Sequence, residues 1–129
     1  MLHREGIGWR LAVGREDTLF SVLIGGETWA FELTESEWYD LVILVFALED
    51  QYVELRDQLM AEEDIELEME RSVWWGFMDG DSNDWSLRLI LNGEANSQRS
   101  VEAHWQSPAA AAAVAAMREI WDLTNRQKH

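Results

Sequence analysis

Carboxylates are the side chains of this 129-residue sequence best suited to chemistry, and they fall into two sets. Segment 79–84, DGDSND, offers Asp79, Asp81 and Asn83 at the spacing of the first three oxygen ligands of a helix–loop–helix calcium site. Such a loop also needs glycine at its sixth position and a bidentate glutamate at its twelfth. Those positions hold Asp84 and Ile90, and β-rich sequence flanks the loop, so a solvated hairpin loop is the better reading. The second set is Glu62, Glu63, Asp64, Glu66, Glu68 and Glu70. Alternate glutamates on a strand share a face about 7 Å apart, close enough to hold a hard cation weakly. General acid–base work needs one carboxylate shielded so that the two pKa values separate. Nothing in the sequence supplies that shield, which leaves a solvated charged face. His3, His104 and His129 form no HExxH pair, and neither a serine nucleophile elbow nor a glycine-rich phosphate loop occurs. The expectation is a protein that is not an enzyme, with no catalytic, cofactor-binding or metal residues.

Trp74-Trp75 is the sharpest local feature. Neighbours on a strand point to opposite faces, so the two indoles cannot share one core. Alternation over 65–78 places Leu67, Met69, Val73, Trp75 and Phe77 on the inward side, and Arg71 breaks that series, suggesting a bulge or two strands. Trp74 then stands on the open face with Met78, Leu23 and Ile90, the candidate interaction surface. An exposed indole among apolar neighbours fits an interface. A loop or terminus covering that face is the other reading, and both stay open at this level.

The composition narrows the partner class. The formal net charge is −15, spread over both halves rather than gathered in a tail. Nucleic-acid binding draws much of its affinity from Lys and Arg neutralising phosphates, and the chain has one lysine, Lys128. Nucleic acid is therefore disfavoured; solubility, or docking of a basic protein, explains the charge. Eight tryptophans indicate an ordered core. The absence of cysteine removes disulfides, thiolate metal sites and a cysteine nucleophile, and suits a reducing cytosol. With no apolar leader and no run long enough to span a bilayer, the expected location is cytoplasmic with no membrane contact.

The elements that would position these residues can be read from periodicity. Segments 9–13, 19–24 and 28–33 alternate as strands, with Gly25-Gly26 as a tight hairpin turn and 14–18 as another. Segment 34–60 carries apolar residues at three- and four-residue spacing and opens with Thr34 and Glu37, a capping box. A second apolar set in its first half, including Tyr39, Ile43 and Phe46, predicts cover on more than one side. Strands at 65–78, 85–91 and 100–105 follow, with a loop at 92–98. A helix over 108–125 has Ser107 as N-cap, Pro108 at its first position and a thin alanine packing face. The fold class is α+β: one domain over 1–129, built from a strands–helix unit (9–60) and a second (65–126). An antiparallel sheet would have both helices on one face.

The stretches REGIGWRL, VLIGGETWAFELTESEW, the Trp74-Trp75 doublet, SLRLIL and VEAHWQSPAAAAAVAAM together resemble a family of small cyanobacterial proteins of unknown function, number 1818 in the domain-of-unknown-function series. That resemblance implies a fold similar to the single-stranded DNA-binding Whirly and Pur-alpha regulators. It does not carry their activity, because the expected outer face sets Glu32, Glu68, Glu70 and Glu102 against Arg10 and Arg88. The expected function is a cytosolic interaction or self-association module with a protein partner or second copy. A single-stranded nucleic-acid-binding regulator is the alternative.

Overall fold

The computed structural model describes residues 2–14, 18–92 and 100–127, with side chains described up to residue 125. Residues 15–17 of the first expected turn, 93–98 of the later loop, and both Lys128 and His129 lie outside the described residues. The elements run β1 (Leu2–Gly6), β2 (Trp9–Val13), β3 (Val22–Gly26), β4 (Ala30–Leu33) and α1 (Glu35–Arg56). They continue with β5 (Ile65–Arg71), β6 (Trp74–Gly80), β7 (Trp85–Asn92), β8 (Ser100–Trp105) and α2 (Ala109–Gln127).

The expected single sheet is in fact two four-stranded antiparallel sheets, β1-β2-β3-β4 and β5-β6-β7-β8. Each strand pairs with its sequence neighbour, and α1 interrupts the series. At 22 residues it spans roughly 33 Å, and β5 after it starts a new sheet instead of pairing with β4. β1 has no counterpart in the sequence reading, since LHREG carries a single apolar residue. It forms because Ile7-Gly8 closes a two-residue turn that sets Gly6 opposite Trp9, with Gly8 at φ 82°. Gly25 and Gly26 lie in β3 rather than in a turn, and the chain turns after them, where the Gly26 N–H donates to the Trp29 carbonyl at 2.8 Å. The glycines serve close approach: a side chain at Gly26 would strike the Trp29 indole, and one at Gly25 would strike Arg10.

α1 is held open at its start by the capping box. The Glu37 N–H donates to Thr34 Oγ1 at 3.1 Å, and the Thr34 N–H donates to Glu37 Oε1 at 2.9 Å. The helix ends at Arg56, so Leu59 and Met60 fall in the turns that follow. At the second helix, the Ser107 hydroxyl is taken by Asp84 rather than by the helix terminus. α1 packs chiefly against β5 and β6 of the second sheet, whereas α2 packs against β1 and β2 of the first and also reaches β7. Each strands–helix unit therefore supplies the helix that covers the other unit's sheet. One hydrophobic cluster results, joining Leu11 and Ile24 of the first sheet to Leu44 and Leu48 of α1, Leu89 of the second sheet and Met117 of α2. Among the described residues no helix is long and apolar enough to cross a membrane.

Polar ties fix the layers. Arg4 of β1 bonds Glu119 of α2 at 2.9 Å, Trp74 Nε1 donates to the Glu37 carbonyl at 2.9 Å, and buried Trp105 Nε1 donates to the Gly25 carbonyl at 3.0 Å. The Tyr52 hydroxyl donates to the Asp81 carbonyl at 2.6 Å. Burial pushes its phenol above the ordinary 10.0, with Asp81 and Asp84 adding to the rise and Arg56 opposing it. The folded chain thus holds Tyr52 protonated where the unfolded chain has begun to ionise. That contribution is complete below pH 10.0 and is lost as pH rises through the raised value. Urea midpoints measured from about pH 8 to 11 should fall more steeply in the wild type than in Tyr52→Phe. The variant should begin about 1 kcal/mol less stable at the lower pH. Parallel curves would show that Tyr52 is not the group responsible.

Candidate interaction surface on the open face of the second sheet

The register of β5 with β6 decides which tryptophan is presented. Arg71 pairs with Trp74, Met69 with Gly76 and Leu67 with Met78. The two residues between the strands, Ser72 and Val73, make the turn, with Ser72 in the left-handed region at φ 54°. Across a two-residue turn the flanking residues are directly opposite and share a face. The inward series Ile65, Leu67, Met69, Arg71 therefore continues as Trp74, Gly76, Met78. Trp74 is 1 % exposed and Met78 0 % exposed, so both belong to the core and not to the expected surface. Gly76 confirms the facing: a side chain there would meet Leu44 and Leu48 of α1.

The other two members of the expected surface are separated. Leu23 is half-buried on the outer face of β3 in the first sheet, and Ile90 is half-buried on the outer face of β7 in the second. Ile90 is joined there by Trp75, directly opposite it, and by Phe77. Both aromatics are half-buried, and their rings stack with centroids 5.8 Å apart and planes 8° from parallel. The Trp75 indole N–H donates to Glu68 Oε1 at 2.7 Å, which fixes the ring. Glu66, Glu68 and Glu70 are exposed on β5, so the acidic run is a solvated face, as the alternation predicts. Glu70 lies opposite Trp75, Glu68 opposite Phe77, and Phe77 opposite Arg88. Arg88 stands 3.8 Å from Glu102, and His104 is half-buried opposite it. Both helices lie against the far side of this sheet, so among the described residues neither helix covers its Trp75 face.

The DGDSND loop closes the β6–β7 hairpin. Asp81 Oδ1 accepts the N–H groups of Asn83 and Asp84 at 2.8 and 3.1 Å, and these bonds hold the Asp81 carboxyl below its usual range. Asp84 accepts from its neighbour's Trp85 N–H and from Ser107. These carboxylates act as turn supports. His3 is exposed and 3.9 Å from Glu5. Elsewhere, a shallow cleft of about 430 Å³ lies between edge strands β4 and β8, lined by Phe20, Ala30, Phe31, Glu32, Ser100 and Val101.

A family model for a domain of unknown function, DUF1818, matches residues 4–120. No curated protein matches. Among solved structures, a Prochlorococcus protein described as of unknown function and from the DUF155 family is 45 % identical. The match covers 94 % of this chain and 99 % of that one, with a TM-score of 0.88. That neighbour is cyanobacterial, and its fold is the one described above. With the family model spanning nearly the whole sequence, the chain belongs to the DUF1818 family.

Proposed function

We propose that this protein is a non-enzymatic module that binds a protein partner through the open face of its second sheet, around Trp75, Phe77 and Ile90. The observation that carries the reading is the stacked Trp75–Phe77 pair on a face that neither helix covers. Aromatic side chains in that setting supply large contact area at small entropic cost, and they are enriched in the energetic centres of interfaces. A non-enzymatic role is supported by the carboxylates of this face, which stand in solvent and not in the shielded pocket that acid–base chemistry requires. A heterologous partner is favoured over a second copy, because pairing two such faces would oppose like charges. The cysteine-free composition suits a reducing cytosol.

Single-stranded nucleic acid is the second reading. Its support is the aromatic pair, since bases stack on such surfaces, together with the Whirly- and Pur-alpha-like fold that the family resemblance implies. Against it, the face carries Glu66, Glu68, Glu70, Asp79 and Glu102 with Arg88 as its cation. Phosphates would be repelled there.

A photo-crosslinking phenylalanine analogue at position 77, introduced in the native cell, separates these readings. A matched probe at Val53, exposed on α1, serves as control. The expected result is a discrete cross-link from position 77 to one other protein, identified by mass spectrometry, and none from position 53. Cross-links to nucleic acid, cross-links only between copies, or equal labelling from both positions would each sink the proposal.

A further inference from the structure

We infer that the partner's contacting segment presents an arginine, whose guanidinium sits on the Trp75–Phe77 pair beside Glu68 and Glu70. This rests on the reading of that face as a protein-binding surface. The chain itself shows twice what an aromatic ring beside carboxylates holds. Arg118 of α2 lies 4.2 Å over the Phe46 ring and bonds Glu49 Oε1 at 2.6 Å and Asp50 Oδ1 at 2.9 Å. Arg71 lies 5.8 Å over the Tyr39 ring and bonds Asp40 Oδ1 at 3.1 Å. In both places a guanidinium takes the electron-rich ring face and an adjacent carboxylate together.

The outer face of the second sheet repeats those components. Trp75 and Phe77 supply two near-parallel rings, Glu68 lies opposite Phe77, and Glu70 lies opposite Trp75. The face's own arginine, Arg88, stands beside Glu102 on the opposite side of β6 from these glutamates. Glu68 holds the indole by its N–H edge and Phe77 stacks on one side of the ring, so the ligand would take the opposite π-face. Among the described residues the surrounding carboxylates outnumber the one guanidinium, so the local field attracts a cation. Tryptophan is the best of the aromatic faces for that role, and arginine is the cation most often found there. Ile90 opposite Trp75 adds an apolar contact, so a segment alternating arginine with aliphatic residues fits the pleat.

The test uses the full chain labelled with nitrogen-15 and followed by NMR, reading the Trp75 indole N–H and the β6 amides. Two synthetic peptides are titrated at low salt: acetyl-Leu-Arg-Leu-Arg-Leu-amide and its citrulline counterpart, which keeps the shape and removes the charge. The arginine peptide should shift the Trp75 signals and bind at least tenfold more tightly than the citrulline peptide. Added salt should weaken it. Trp75→Ala should lose at least tenfold in affinity, and Glu68→Gln severalfold with the fold intact. Equal binding of the two peptides, unchanged binding by both variants, or no shift at millimolar peptide would overturn the inference. A cross-link from position 77 to another protein, alongside arginine-independent peptide binding, would leave the protein-partner reading standing and remove only the arginine.

Discussion

Trp74→Ala is expected to lower stability by about 3–5 kcal/mol, whereas Trp75→Ala, one residue along, should cost about 1 kcal/mol. The difference follows from facing alone. Trp74 is enclosed on the α1 side of the sheet, and its indole N–H is satisfied by the Glu37 carbonyl. Truncation leaves a large void and removes the indole's hydrogen bond to a carbonyl that keeps its place in the α1 ladder, so the void carries most of the cost. Trp75 gives up one ring stack, a hydrogen bond to an exposed glutamate and partial burial. Against a total stability of 5–15 kcal/mol typical of domains, the first change removes a large share. The melting temperature should fall by roughly 10–20 °C, compared with a few degrees for Trp75→Ala. Thermal unfolding of the two variants side by side decides the matter. If Trp75→Ala proves the more damaging, the strand is facing the other way and the proposed surface is lost with it.

That one-residue distinction is also where the sequence is least legible. Alternation along 65–78 is unambiguous within each strand, but a two-residue turn reverses parity, and a slip of one residue exchanges every inward and outward side chain. Two signals mark the turn. Arg71 interrupts the apolar series, and the glycine at 76 occupies a position that only makes sense beneath a closely packed helix. Read together, they place Trp74, Gly76 and Met78 inside and Trp75 and Phe77 outside. By contrast, the start of α1 is fully written in Thr34 and Glu37, because a capping box acts within one helical turn. Its buried face is equally legible: Trp38, Leu41, Val45, Leu48 and Tyr52 recur at helical spacing. The number of sheets could not be read this way. Periodicity tells which face of an element is apolar but not which partner covers it, and here the helix following each set of strands goes to the other sheet.

Such an exchange predicts that neither half of the chain folds alone. Residues 61–64, exposed between α1 and β5, are the natural place to divide it. In the fragment 1–60, α1 would keep its capping box but lose the β5–β6 surface that receives Leu44 and Leu48. Seven α1 residues are buried in the intact chain. If four of them lost their cover, the fragment would forgo about 6–12 kcal/mol of apolar burial, as much as a whole domain's stability. The fragment from residue 65 onward would keep its sheet but lose α1 from one part of the inner face, and α2 would lose β1 and β2. Each fragment alone should therefore show poorly dispersed amide spectra and no cooperative unfolding transition. Mixed at equal concentration, they should recover a cooperative transition whose midpoint rises with protein concentration, because the two helices can cover each other's sheets only when both fragments are present. A cooperative transition in either fragment alone would mean that each unit carries its own core. The covered and open faces of the second sheet would then need to be assigned afresh.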